Sequence, residues 1–154
     1  MPNKEICWMS ARELTEAYKS GELSPIDVLE ETLVRVKRYN PELNAVVTPT
    51  EEMAREAAKK AQKEIKEKRK MGSLHGVPIT IKDNVFTKGV RTTWGSKLYE
   101  NFIPTEDAVL VERLKNAGAI IIGKTNLPEF GLIGFTDNLL FGPSHNPWDK
   151  TRTT

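Results

Sequence analysis

Val77-Pro78-Ile79-Thr80-Ile81-Lys82-Asp83-Asn84 is the stretch that decides the fold. It alternates, with Val77, Ile79 and Ile81 on one face and Pro78, Thr80 and Lys82 on the other. Gly76 bounds it on one side and a polar turn on the other, which predicts a strand over 77–81. A second apolar run, Ile120 to Ile122, lies between Gly118 and Gly123 and reads as another strand. Between the two, a helix is expected from about Asp107 to Ala117, with Val109, Leu110, Val111 and Leu114 as its apolar face. Helix, glycine, buried apolar strand is the rhythm of an α/β sheet, whose strands are often parallel.

Upstream, the chain reads as helical as far as Gly72. Ser10 with Glu13 three residues on makes a capping box, Met9 and Leu14 suit a hydrophobic staple, and Gly21 sits where a C-terminal cap belongs. A second helix starts at Ser24 with Pro25 in its first turn and carries Val28, Leu29, Leu33 and Val36 at helical spacing. Asn40 and Pro41 are expected to stop it. Ala45 to Thr48 is a short strand candidate. Thr50 is expected to cap a third helix, with Glu51 and Glu52 in its first turn and Met53, Ala57, Ala61 and Ile65 along one face. Gly118, Gly123 and Gly131 read as turns and caps, and the chain from Leu132 onward reads as loop. The expected organisation is a helical N-terminal region, 1–72, followed by the start of an α/β core, 73–154, the two forming one domain fragment.

Composition narrows the function classes. Of 154 residues, 38% are hydrophobic and 29% charged, as in a globular chain. A net charge of +2 gives no strong pull toward nucleic acid or membrane. No apolar stretch approaches the ~20 residues of a membrane span. Met1 to Ser10, with Pro2, Lys4 and Glu5, lacks a secretory pattern, so a cytoplasmic location is expected. Cys7 is the only cysteine, which excludes an internal disulfide and a thiolate cluster and reads as a small buried hydrophobe. His75 and His145 have no third ligand at metal spacing and read as turn and loop residues. Phosphate-binding glycine patterns are absent, so neither metal nor cofactor is expected. The basic run Lys59, Lys60, Lys63, Lys66, Lys68, Arg69 and Lys70 reads as a solvated face, with Glu56–Lys60 and Glu64–Lys68 as i,i+4 pairs and no interleaved aromatic to stack on bases.

Lys82 stands out because it ends an apolar strand, where open α/β sheets place functional groups. Desolvated there, a lysine can act neutral as a proton acceptor. On spacing alone, a lysine that reaches water or pairs with Asp83 is the favoured reading.

Linked motifs take the reading further. Leu74-His75-Gly76-Val77-Pro78-Ile79-Thr80-Ile81-Lys82-Asp83-Asn84 resembles the lysine motif of the amidase-signature family. The likeness continues through Thr92-Thr93-Trp94-Gly95-Ser96, Asp107-Ala108 and Ala117-Gly118-Ala119-Ile120-Ile121-Ile122-Gly123-Lys124-Thr125-Asn126 with Glu129-Phe130. It ends at Asn138, Phe141-Gly142 and Asn146-Pro147-Trp148, and upstream Ser24-Pro25 and Asn40-Pro41-Glu42-Leu43-Asn44-Ala45 fit the helical lead-in. The resemblance implies N-terminal helices followed by part of a mixed, largely parallel sheet flanked by helices. It also implies hydrolysis of amide C–N bonds by a serine nucleophile, a cis serine and a lysine, the lysine being Lys82. A serine hydroxyl is a weak nucleophile until a base takes its proton. A buried neutral lysine can draw that proton through a bridging hydroxyl and return it to the leaving amine, with backbone N–H groups holding the oxyanion.

The sequence departs from that pattern after Trp148, where it ends Thr151-Arg152-Thr153-Thr154 in place of a glycine- and serine-rich run. Ser73, Ser96 and Ser144 lie outside the nucleophile context. The expectation is an N-terminal amidase fragment that is inactive alone, with an adhesive, unpaired sheet edge. Its partners would be a small amide substrate in the complete enzyme and a complementary C-terminal chain. The family also contains the A subunit of tRNA-dependent glutamine amidotransferases, for which the partners would be the other subunits. A non-catalytic binding module is the reading from a different class.

Overall fold

The computed structural model describes residues 6–154. The reading of Pro2, Lys4 and Glu5 lies outside the described residues. Among the described residues, four α-helices and three strands follow in the order α1 (Ala11–Ser20), α2 (Pro25–Leu43), β1 (Val46–Pro49), α3 (Glu51–Lys66), β2 (Pro78–Lys82), α4 (Val109–Asn116) and β3 (Ile120–Thr125). The sheet order is β1-β3-β2, with β3 antiparallel to β1 and parallel to β2. The fold is mixed α/β, as expected, and β1 places part of the first 72 residues in the same sheet as the rest.

The helix starts form as their sequences dictate. Ser10 Oγ accepts from the Glu13 N–H at 3.3 Å while the Glu13 carboxylate accepts from the Ser10 N–H at 2.6 Å. Gly21 closes α1 in the left-handed conformation at φ 78°, which its missing side chain makes cheap. Ser24 caps α2 with Pro25 at the helix start. Leu29 and Leu33 of α2 pack with Ala54 and Ala58 of α3 onto Ile120 and Ile122 of β3. Leu14, Tyr18, Val28 and Val77 form an adjoining cluster.

Several expectations are corrected. Helix α2 runs through Pro41 to Leu43, and Asn44 ends it at φ 48°. Pro41 removes one backbone donor, and the carbonyl it leaves belongs to exposed Lys37, which water can satisfy. Asn40 does not stop the helix: its side chain accepts from the Ala45 and Val46 N–H groups and donates to the Val46 carbonyl, clamping the turn into β1. Thr50 precedes α3, yet its hydroxyl donates to the Ile121 carbonyl instead of capping the helix. The buried face of α3 is Ala54, Ala58 and Ala61, and Met53 is exposed. Small residues win there because α3 lies close against α2 and β3. The lysine run is solvated as expected, but its ion pairs are Lys63–Glu67 and Arg69–Glu67, since α3 ends at Lys66 before Glu64 and Lys68 can align. Gly123 lies inside β3, where a Cβ would come 2.8 Å from Val46 Cγ1 and 2.9 Å from the Thr48 carbonyl. Cys7 is exposed rather than buried, in a short turn before α1.

Of the apolar face expected for α4, only Val111 is fully buried, while Val109 and Leu110 are exposed. Leu98, Leu132, Leu139 and Trp148 add exposed apolar surface on the loops. None of the helices is long and apolar enough to cross a membrane among the described residues.

Candidate active site at the ends of two parallel strands

Because β2 and β3 are parallel, both finish at the same end of the sheet, and the loops 83–108 and 126–154 start there. Lys82, the last residue of β2, lies opposite Thr125 and is exposed. Among the described residues it makes no ion pair with Asp83, and its exposure matches a strand-end lysine that reaches water rather than a desolvated one.

Asp83 turns inward and is fully buried. Its Oδ2 accepts from the Thr93 N–H at 3.1 Å and from the Thr93 hydroxyl at 2.5 Å. Its Oδ1 has no hydrogen-bond donor and faces Lys124 Nζ at 3.8 Å. Lys124 is also fully buried, and its ammonium donates to the Val85 carbonyl at 2.6 Å, Thr92 Oγ1 at 2.8 Å and Thr87 Oγ1 at 3.3 Å. Burial pushes the Lys124 amine down to about 8 against the pull of Asp83. Burial likewise pushes the Asp83 carboxyl up, opposed by its bonds from Thr93 and by the charges of Lys124 and Arg91. This buried pair is the feature the sequence reading missed. The signal was present: Lys124 also follows an apolar strand run, but its place inside a long motif hid it.

Beyond β3 the motif residues form a second scaffold. Asn126 Nδ2 donates to the Gly142 carbonyl at 3.1 Å and to Ser144 Oγ at 3.1 Å, and Asn126 Oδ1 accepts from Asn138 Nδ2 at 2.8 Å. Asn138 Oδ1 accepts from the Leu140 and Phe141 N–H groups. The Ser144 hydroxyl donates to the Asn44 carbonyl at 2.6 Å, and Asn44 Nδ2 donates to the Phe141 and Pro143 carbonyls. Loop 126–144 is thus tied to the end of α2. Trp94 and Phe130 hold φ values of 52° and 53°, a costly conformation for bulky side chains, and the Phe130 N–H donates to the Trp94 carbonyl at 2.8 Å.

The other sequence candidates stay apart from Lys82. Ser96 is buried and accepts from the Leu98 N–H, Ser144 belongs to the asparagine network, and Ser73 is exposed. No hydrogen bond joins any of the three to Lys82 among the described residues. His75 is buried with Nε2 3.1 Å from the Ala61 carbonyl, and His145 Nδ1 lies 3.1 Å from the Lys150 carbonyl. A cavity of about 270 Å³, lined by Ala57, Ala61, His75, Gly118 and Ile121 among others, includes neither Lys82 nor Asp83. No group of three or more His, Cys, Asp or Glu residues suited to a metal occurs among the described residues.

A mixed α/β sheet with an outward lysine at a strand end, backed by buried polar clamps, defines the class of architecture. The chain belongs to the amidase family, whose model matches residues 27–154. It is 44% identical over 148 residues to the glutamyl-tRNA(Gln) amidotransferase A subunit of Carboxydothermus hydrogenoformans, covering 96% of this chain and 30% of that protein. It is 45% identical over 150 residues to an acylamidase of Rhodococcus erythropolis, covering 96% of this chain and 31% of that one. Its structure is similar to that of a bacterial aryl acylamidase of the amidase-signature enzymes, with a TM-score of 0.88 and 32% identity over 93% of this chain and 30% of the other. The chain therefore spans about 30% of the length of these relatives.

Proposed function

We propose that this chain is the lysine-bearing N-terminal part of an enzyme that hydrolyses the C–N bond of linear amides. Lys82 is the proton carrier. A serine hydroxyl, supplied with a second bridging serine by the part that completes the enzyme, loses its proton toward Lys82 Nζ as its oxygen attacks the carbonyl carbon. A proton returns to the nitrogen as the C–N bond breaks and the amine leaves, and water then cleaves the acyl-serine to the carboxylic acid, giving the serine its proton back. One observation carries this reading: Lys82 is exposed at the end of the sheet where two parallel strands finish, while Ser96 and Ser144 are locked into other hydrogen bonds. Alone, the chain is inactive, and the exposed Val109, Leu110, Leu98 and Leu132 support a need for a complementary piece.

Two substrates are open within this chemistry. Identities of 45% to an acylamidase and 44% to an amidotransferase subunit favour neither. The test is a chimera in which this chain replaces the matching segment of the Rhodococcus acylamidase, assayed on acetanilide and on glutamine. The reading expects turnover by the chimera, none by the 154-residue chain alone, and loss of turnover in Lys82→Ala. Amide hydrolysis by the isolated chain that depends on Lys82, or a folded chimera indifferent to Lys82→Ala, overturns it. Preference for glutamine would assign the amidotransferase branch.

A further inference from the structure

We infer that Lys124 is a positioning residue for Lys82: its buried side chain anchors the loop that leaves β2 and so fixes the backbone from which Lys82 projects. The inference rests on the reading of Lys82 as the proton carrier. Lys124 lies opposite Ile81, one position before the Lys82–Thr125 pair. Successive strand residues point to opposite faces, so Lys124 acts from the reverse face and touches no reacting atom.

The anchoring is specific. An ammonium has three protons, and Lys124 has three acceptors, Val85 O, Thr87 Oγ1 and Thr92 Oγ1, all within the ten residues after Lys82. Asp83, bonded directly to Lys82, is held from four directions. Its N–H donates to the Thr125 carbonyl at 3.0 Å, and its carbonyl accepts from the Trp94 N–H at 3.1 Å. Its carboxylate takes both Thr93 donors and faces the Lys124 charge. A methionine would fill the Lys124 volume without the desolvation cost of a charge. What the ammonium adds is direction: it closes loop 83–93 at one geometry, and a lysine base has to be held near the productive geometry to work.

The test uses two readouts. On the 154-residue chain, amide hydrogen exchange is measured in Lys124→Met and in the milder Thr92→Val and Thr92→Ser. Exchange at Asp83, Thr93 and Trp94 is expected to rise by ~100-fold in Lys124→Met and ~10-fold in Thr92→Val beyond any rise at Leu29 and Leu33, which report global unfolding, and to return in Thr92→Ser. In the acylamidase chimera acting on acetanilide, Lys124→Met is expected to lower kcat ~100-fold with KM held within about twofold, and Thr92→Ser to restore what Thr92→Val loses. Unchanged exchange around Asp83 overturns the inference whatever the activity. So does a chimera that loses turnover in Lys82→Ala but keeps its kcat in Lys124→Met and Thr92→Val. A folded wild-type chimera without turnover is a different failure: it overturns the reading of Lys82 and this inference with it.

Discussion

Lys82 and Lys124 sit near the ends of parallel neighbouring strands, each after a run of apolar residues, yet one is exposed and the other fully buried. The difference comes from the residues that succeed each lysine. After Lys82 the chain turns inward with Asp83, Val85, Thr87 and Thr92, which together build a polar socket. Lys124 fills that socket from the reverse face. Strand-end position makes a lysine available; the acceptors around it decide whether it is a chemical group or a structural one.

The most severe way to break the comparison is to empty the socket. Lys124→Met alone leaves the Asp83 carboxylate buried without its cation, and it should destabilise the chain by about 3–5 kcal/mol in a denaturant titration. Adding Asp83→Asn removes the orphaned charge, so the double variant should be less destabilised than the sum of the singles, by about 1–3 kcal/mol of coupling. Strict additivity would mean that the 3.8 Å pair carries no interaction.

Much of this architecture was legible in the sequence, and the gaps have physical reasons. Capping at Ser10, Gly21 and Ser24 is local, set by a few consecutive residues, and formed as read. The strand ending at Lys82 was legible from its alternation. Pro41 misled because proline's cost depends on whether the carbonyl it orphans can reach water, which is not a sequence property. Met53 misled because one step of rotation about α3 moves a face, and alanines score weakly in any apolar pattern although close helix packing favours them. For the candidate site, Lys82 was read from its motif, while the Asp83–Lys124 pair spans 41 positions of sequence and only the parallel register brings it together.

A smaller perturbation tests the frame that creates the register. Gly123 lies beside Lys124, and its alanine variant would push a Cβ against Val46 Cγ1 and the Thr48 carbonyl of β1. A cost of about 1–3 kcal/mol is expected, because backbone must shift. If Gly123→Ala also speeds hydrogen exchange at Asp83, the socket depends on the β1–β3 contact; if it does not, β2 and β3 set it alone.

Smaller again is the response to pH. The folded chain gives up the Lys124 proton near 8, whereas the unfolded chain keeps it to about 10.5. Between those values the unfolded state binds more protons, so the contribution of Lys124 makes stability rise with pH. Asp83 runs the other way at acid pH. Its raised value means that the folded state keeps a proton the unfolded state has lost, so its contribution falls as pH climbs through that value. Both trends should vanish in the Asp83→Asn/Lys124→Met double variant, which assigns them to the socket rather than to half-buried carboxylates such as Glu30.

The least effect on stability is expected at Lys82 itself, and that is what gives the comparison its meaning. Its side chain is exposed and makes no ion pair among the described residues, so Lys82→Met should change stability by no more than about 0.5 kcal/mol. In the acylamidase chimera the same substitution should cost about 10²–10⁴-fold in kcat, the usual reach of a positioned acid–base group. A strand-end lysine that the fold does not need, but that turnover cannot spare, is a chemical group. If Lys82→Met instead destabilised the chain as strongly as Lys124→Met, both lysines would be structural, and the basis for placing the chemistry at this end of the sheet would be gone.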